Sequence, residues 1–321
     1  MKRRTLLATP LALLATSAGA QWTPSQPIKV LVGYPPGGTA DITARLAADM
    51  IQKRHGYSVV VENKTGAGGF IALKAVAQSA PDGLTVGIGI MGQLAVGAVV
   101  PGTQIPLDLD KELVPICNLT GMPMALIARM EAPFKTVAEL VAYAKANPGK
   151  VTYASTGGGS TNQLGAEFLA AEAGGLRFTH IPYRGGAPAV ADVAAGHVDI
   201  FFANISEIIG QVRGGKVRAL ALAASKPSPM APELPLLTRD IPALDINNWF
   251  GLVGPAGMPA EIVNALGKLF TDAIDDPGNA EALASRGMAS LKQDHAAFAA
   301  QIQRDRDRWA KVVKQGNIRA E

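Results

Sequence analysis

Two short stretches, Pro35-Pro36-Gly37-Gly38-Thr39 and Ser155-Thr156-Gly157-Gly158-Gly159-Ser160-Thr161, combine glycines with hydroxyl side chains directly after apolar runs. Each falls between the end of an expected strand and the start of an expected helix, which is where open α/β sheets bind ligands. A helix N-terminus there offers unpaired backbone N–H groups and a partial positive charge, and so favours an anion. Gly37-Gly38 and Gly157-Gly158-Gly159 let backbone approach a ligand with no Cβ in the way. Thr39, Thr156, Ser160 and Thr161 add hydroxyls that donate or accept. One helix end contributes about 0.3–2 kcal/mol, enough to orient a carboxylate but modest alone. Taken singly, such glycines serve equally well as tight turns. Their occurrence at matching positions in two halves of the chain favours a ligand cleft.

Catalytic arrangements are scarce. None of the four histidines, His55, His180, His197 and His295, has a second His or Cys at metal-ligand spacing, so neither a metal nor a cofactor is expected. His55 sits beside Gly56 at an expected helix end, and His180 lies in an expected strand before Pro182, where a packed ring is commoner than a base. There is no G-x-S-x-G elbow, no P-loop and no complete G-x-G-x-x-G after the first strand. Asp41 is either a general base or, more in keeping with its place, a first-turn acid steadying its own helix. An exported hydrolase or dehydrogenase using Asp41 or His180 is the alternative function, and it lacks a nucleophile and base in one loop system.

The elements that must carry these loops alternate. Ile28 to Gly33 is a β-branched run of the kind found in buried parallel strands. A helix is expected from about Asp41, with Ile42, Leu46 and Met50 on one face and Gly56 as its stop. Ser58 to Val61, a helix carrying Ile71, Ala75 and Val76, and a strand from Leu84 to Ile90 complete a βαβαβ unit, which argues for a parallel, doubly wound sheet. The second half repeats the pattern. It has an apolar Ala125 to Ala128, a helix from Val137 to Ala146, strands at 151–154, 179–182, 198–202 and 219–223, and helices from about Asn162 and around Pro188 to Ala195. Pro227, Pro229, Pro232, Pro235 and Pro242 mark a surface excursion. Phe298, Ile302, Trp309 and Val313 share one face of a terminal helix, read as core.

Lys2, Arg3 and Arg4, the apolar Leu6 to Ala15, and Ala18 and Ala20 read as an export signal cleaved before Gln21. The apolar stretch is too short for a membrane anchor. Arg3-Arg4 leaves the general and twin-arginine export routes both open. Without the leader's three cations, 27 basic residues face 26 acidic ones, which is no footprint for nucleic acid. The single cysteine, Cys117, excludes an intramolecular disulfide and reads as a buried small hydrophobe. About 300 mature residues exceed the usual limit of one core, so two domains are expected.

The stretches IKVLVGYPPGGTADITARLAA and VVVENKTGAGGFIALKAVAQSAPDGLT resemble the tripartite tricarboxylate transporter solute-binding proteins, the Bug family. The likeness continues through ANPGKVTYASTGGGSTNQLGAEFLA, HIPYRGGAPAVADVAAGHVDIFFANIS, KVRALALAASKPSPMAPELP and WFGLVGPAGMP to the terminal RWAKVVKQGNIRAE. The resemblance implies an α/β, type II periplasmic binding protein-like fold with two doubly wound domains, a hinge and an interdomain cleft. Leader 1–20 would precede a first domain built from 21–123 and 246–321, with 124–245 as the second. It implies a monomer that captures a small carboxylate (dicarboxylate, aromatic acid or acidic amino acid) for a membrane permease or a sensor kinase. Pro36, Gly37, Gly38 and Thr39 match its first-domain loop, which grips a ligand carboxylate with ordered water, and Thr156, Gly159, Ser160 and Thr161 its second-domain loop. Gly92, in the loop after the third strand, and Tyr183 and Asn204, after later strands, are expected to face the same cleft. Trp249-Phe250-Gly251 matches a segment near the domain crossing that is structural rather than ligand-touching. The chain departs from the family pattern at Gln163 (often His), Ala203 (an acid or glycine), Arg184 (often Lys) and 96–102. Loss of an acid at position 203 would weaken an amino-acid ligand, whose ammonium would lack a partner.

Overall fold

The computed structural model describes residues 22–320; the leader read from residues 1–20 lies outside them. The first βαβαβ unit forms as its pattern requires. Ile28–Val32 (β1) leads to Thr39–His55 (α1), Val59–Asn63 (β2), Phe70–Ala77 (α2) and Thr85–Ile90 (β3). β1 lies between β2 and β3 and parallel to both. α1 stops at Gly56, whose φ of 71° is left-handed, as glycine permits without strain.

After β3 the chain tightens into a π-helical turn at Gly92–Val96 and a short helix, Gly97–Val99 (α3), so Gly92 opens a helical turn and not the expected loop. Leu109–Glu112 (α4) precedes Leu113–Arg129 (β4), a strand of 17 residues. Next come Val137–Ala146 (α5), Thr152–Ser155 (β5), Thr161–Glu172 (α6), Thr179–Pro182 (β6), Gly186–Ala194 (α7), Ile200–Asn204 (β7), Ile205–Arg213 (α8) and Val217–Ala223 (β8). The proline-rich stretch that follows tucks Leu237 and Leu244 into the core. The chain returns as Asn247–Pro255 (β9), Ala260–Ile274 (α9), Pro277–Ala284 (α10), Ala289–Gln293 (β10) and His295–Gly316 (α11). Among the described residues no helix is long and apolar enough to cross a membrane.

The strand order is β2-β1-β3-β9-β4-β7-β5-β6, with β10 and β8 also paired to β4. The sheet is therefore mixed and not parallel throughout. β9 enters antiparallel between β3 and β4, and β4 is antiparallel to β7. The β9 pairings join residues more than 120 positions apart, which no local pattern encodes. β4 pairs with β9 from Leu113 to Pro123, then with β7 and β8 from Met124 onward. One strand thus belongs to two sheets.

The terminal helix packs as its stripe demands. Phe298 and Trp309 are fully buried, Ile302 and Val313 nearly so, and Phe298 meets Trp249 edge to face with ring centroids 5.1 Å apart. Cys117 is buried and free, and burial pushes its thiol well above the ordinary range.

Candidate functional site

The turn from β1 to α1 is held from below by Asp41. Its Oδ2 accepts from the Gly37 backbone N–H at 3.0 Å and from Arg45 Nε at 2.9 Å, and its Oδ1 accepts from Asn63 Nδ2 at 3.0 Å. Asn63 also donates to the Tyr34 carbonyl at 2.8 Å. Burial alone would raise the Asp41 pKa, but the hydrogen bonds from Arg45, Gly37 and Asn63 outweigh it and hold the carboxyl below its ordinary value. Asp41 is 2% exposed and fully engaged, which makes it a turn clamp and not a base. Asp41→Asn is expected to cost about 1.5–3 kcal/mol, the range for hydrogen bonds to a charged group. A depressed folded pKa stabilises above the unfolded value of about 3.9 and is lost as pH falls through the folded one. Urea melts should therefore separate wild type from variant at pH 7, and the gap should close as pH falls below about 3.9 and through the lowered folded value.

The second loop, between β5 and α6, is built by its own polar groups. Ser160 caps α6 by accepting from the Gln163 N–H, Gly159 N–H donates to Gln163 Oε1 at 2.7 Å, and Thr156 Oγ1 donates to Asn162 Oδ1 at 2.7 Å. Asn162 in turn donates to the Phe202 carbonyl of β7 at 2.6 Å. Gln163 Nε2 donates to the Arg319 carbonyl, so the position where the family often has His ties the loop to the chain's C-terminal segment. Thr161 Oγ1, on a residue 3% exposed, has no hydrogen-bond partner.

The two loops face one cavity of about 40 Å³, against the roughly 10–15 Å³ that a single water needs. Its walls include Gly38, Thr39, Gly92, Thr156, Gly159, Ser160, Thr161 and Asn204, all expected from the sequence. A Cβ on Gly92 would stand 3.1 Å from Thr161 Oγ1, and Gly159 packs against Thr103, so the halves are in contact across the site. Pro36, Gly37 and Tyr183 are not part of the lining. Gly37 serves the turn through its φ of 80° and its bond to Asp41. Tyr183 turns its hydroxyl to Asp192 at 2.7 Å, and the start of α7 borders the cavity through Gly186 and Ala187 instead. His180 is likewise outside the lining, stacked on Tyr153 with Nε2 2.6 Å from Ser155 Oγ.

Several wall residues were not anticipated. Tyr34 and Phe250 close the apolar side, so Phe250 touches the cavity as well as serving β9. The Tyr34 hydroxyl donates to the Gly68 carbonyl at 2.8 Å, and burial, then the nearby Glu207 charge, push its pKa far up. Glu207, in the first turn of α8, is the one acid among the described residues of the lining. Its Oε1 accepts from Thr39 N–H at 3.2 Å and Thr39 Oγ1 at 3.0 Å, with Asn204 Nδ2 at 3.4 Å. Burial raises its pKa, and those three bonds partly offset that effect. Ala203, by contrast, is fully buried within β7 and absent from the wall, so its lack of charge does not leave the cavity without an acid. An acid in a helix's first turn ordinarily reads as a dipole partner; its place three residues after Asn204 was the available signal.

Residues 43–318 match the model of the tripartite tricarboxylate transporter family receptor. The chain is 32% identical over 309 residues to Protein BugT of Bordetella pertussis, covering 94% of this chain and 93% of that protein. Its fold superposes on the periplasmic binding protein BugD with a TM-score of 0.87 at 28% identity, over 93% of this chain and 100% of that one. It also superposes on MatC from Rhodopseudomonas palustris with bound malate, with a TM-score of 0.85 at 30% identity, over 91% and 100% of the two chains.

Proposed function

The chain belongs to the tripartite tricarboxylate transporter receptor family, solute-binding proteins and not enzymes, and from that premise we propose that it captures a small carboxylate in the periplasm by closing its two halves on it. Delivery is to a permease of the tripartite type or to a sensor. The observation that carries this reading is the convergence of two helix N-termini, α1 and α6, on one small cavity, with the Thr161 hydroxyl unpartnered inside it. A helix N-terminus favours an anion, and exclusion of water by closure strengthens that attraction. MatC, solved with malate, lends the ligand class support. The hinge lies where β4 changes partners at Pro123 and Met124 and where the chain re-enters β9 near Asn247. Closure driven by a ligand's higher affinity for the closed form would create the surface that a permease or sensor reads.

The test is thermal unfolding of the 21–321 protein, stripped of carried-over ligand, against small carboxylates, aromatic acids and acidic amino acids. A ligand at about a hundred times its Kd stabilises by roughly 2.7 kcal/mol, a shift of several degrees for a chain of this size. One class of carboxylates is expected to give that shift. No shift across the panel would overturn the reading.

A further inference from the structure

The cavity is chemically asymmetric. At the α6 end, Thr161 is nearly buried, its hydroxyl has no partner, and it opens the first turn of a 12-residue helix capped by Ser160. That pole has donors and no anion. At the α1 end the N-cap is Gly38, which has no side chain to cap the helix, and the Thr39 N–H is taken by Glu207 from α8. The protein's own carboxylate occupies that helix N-terminus.

Each hydrogen bond to Glu207 ends on Oε1. Among the described residues none reaches Oε2, which lies against the glycine that opens α7, where a Cβ at Gly186 would collide with it. Among the described residues no lysine, arginine or histidine lines the cavity to neutralise this acid. An acceptor oxygen of this kind, on the wall of a small cavity, calls for a donor from the ligand and repels a second carboxylate.

We propose that the ligand is a monocarboxylate bearing a hydrogen-bond donor, an ammonium or a hydroxyl, at its far end: its carboxylate meets Thr161 at α6 and its donor meets Glu207. This rests on the carboxylate-receptor reading and narrows it. Thr161 and Glu207 both come from the 124–245 half, and Thr39 of the other half holds Glu207 in place across the cavity. Glu207 is the specificity-determining residue, and the malate-type dicarboxylate is the class it rejects.

Isothermal titration with chain-length-matched probes tests this: succinate against 4-hydroxybutyrate and γ-aminobutyrate, and glutarate against their five-carbon homologues. Wild type is expected to bind a donor-bearing monocarboxylate at least tenfold tighter than the dicarboxylate of equal length. Glu207→Gln, and Glu207→Ser in case the amide packs poorly, should reverse that order by at least tenfold. The empty Gln variant should melt no lower than wild type, because it removes a charge that burial disfavours. Thr161→Val should weaken both probe types together. A wild type that prefers dicarboxylates, or a preference untouched by both Glu207 variants, would overturn the inference and leave the carboxylate receptor standing. Silence toward every carboxylate in wild type and variants would overturn both.

Discussion

Gly38→Leu is expected to weaken ligand binding at least a hundredfold while leaving the empty protein folded and melting within a few degrees of wild type. Gly38 has φ −76° and ψ 165°, an extended N-cap conformation open to any residue. An added Cβ meets only the Pro35 carbonyl at 3.4 Å and Glu207 Oε1 at 3.8 Å, ordinary contacts. The rest of a leucine side chain must then enter a cavity of about 40 Å³ and take the ligand's place. A hundredfold loss corresponds to about 2.8 kcal/mol of binding free energy. Calorimetry with whichever carboxylate stabilises wild type reads this directly, and unchanged affinity would remove the cavity as the binding site. Ser160→Leu should also block binding. It removes the α6 cap as well, at about 0.5–2 kcal/mol, so that variant should melt lower. Gly159 is a poor choice for the same purpose, because its φ of 76° and its packing on Thr103 would confuse occlusion with strain.

Gly33→Ala should carry the largest stability cost of any single methyl near the site. Gly33 follows β1, and a Cβ there would stand 2.5 Å from the Gly69 carbonyl oxygen and 2.6 Å from Gly69 Cα. The obstacle is backbone, so no rotamer change relieves it. The Gly66–Gly69 turn would have to move, and with it Gly68, which lines the cavity and accepts from Tyr34. Overpacking costs about 1–3 kcal/mol, and a backbone obstacle belongs at the upper end. A drop of roughly 6–12 °C in Tm follows at about 2–4 °C per kcal/mol. Ligand affinity should fall with it. Wild-type stability and affinity in this variant would mean that the turn yields freely and does not shape the cavity.

What could be read from the sequence follows from how local each cause is. Val137–Ala146 was legible to the residue because Thr136 caps its start and Asn147-Pro148-Gly149 stops it. The buried stripe of Phe298, Ile302, Trp309 and Val313 was legible because helical periodicity is a property of neighbours. The insertion of β9 between β3 and β4 was not, because a strand's partners are chosen by packing across the whole chain. The same division holds at the cavity. Gly38, Thr39, Ser160 and Thr161 announce themselves as glycine and hydroxyl next to a helix start. Tyr34 and Phe250 look like core residues, and Glu207 like a helix-dipole partner; only the meeting of three elements gives them a common face. Tyr183 shows the converse, a polar aromatic in the right loop whose hydroxyl is satisfied by Asp192.

The 17 residues of β4 run unbroken from one sheet into the other. Closure of the kind proposed above would then bend a shared ribbon and not turn a loose joint. Such a bend, borne by a strand paired on both sides of the crossing, would give the chain a mechanical memory of its rest position. In the capture proposed above, the stiffness of that ribbon would help set how long a molecule is held before release.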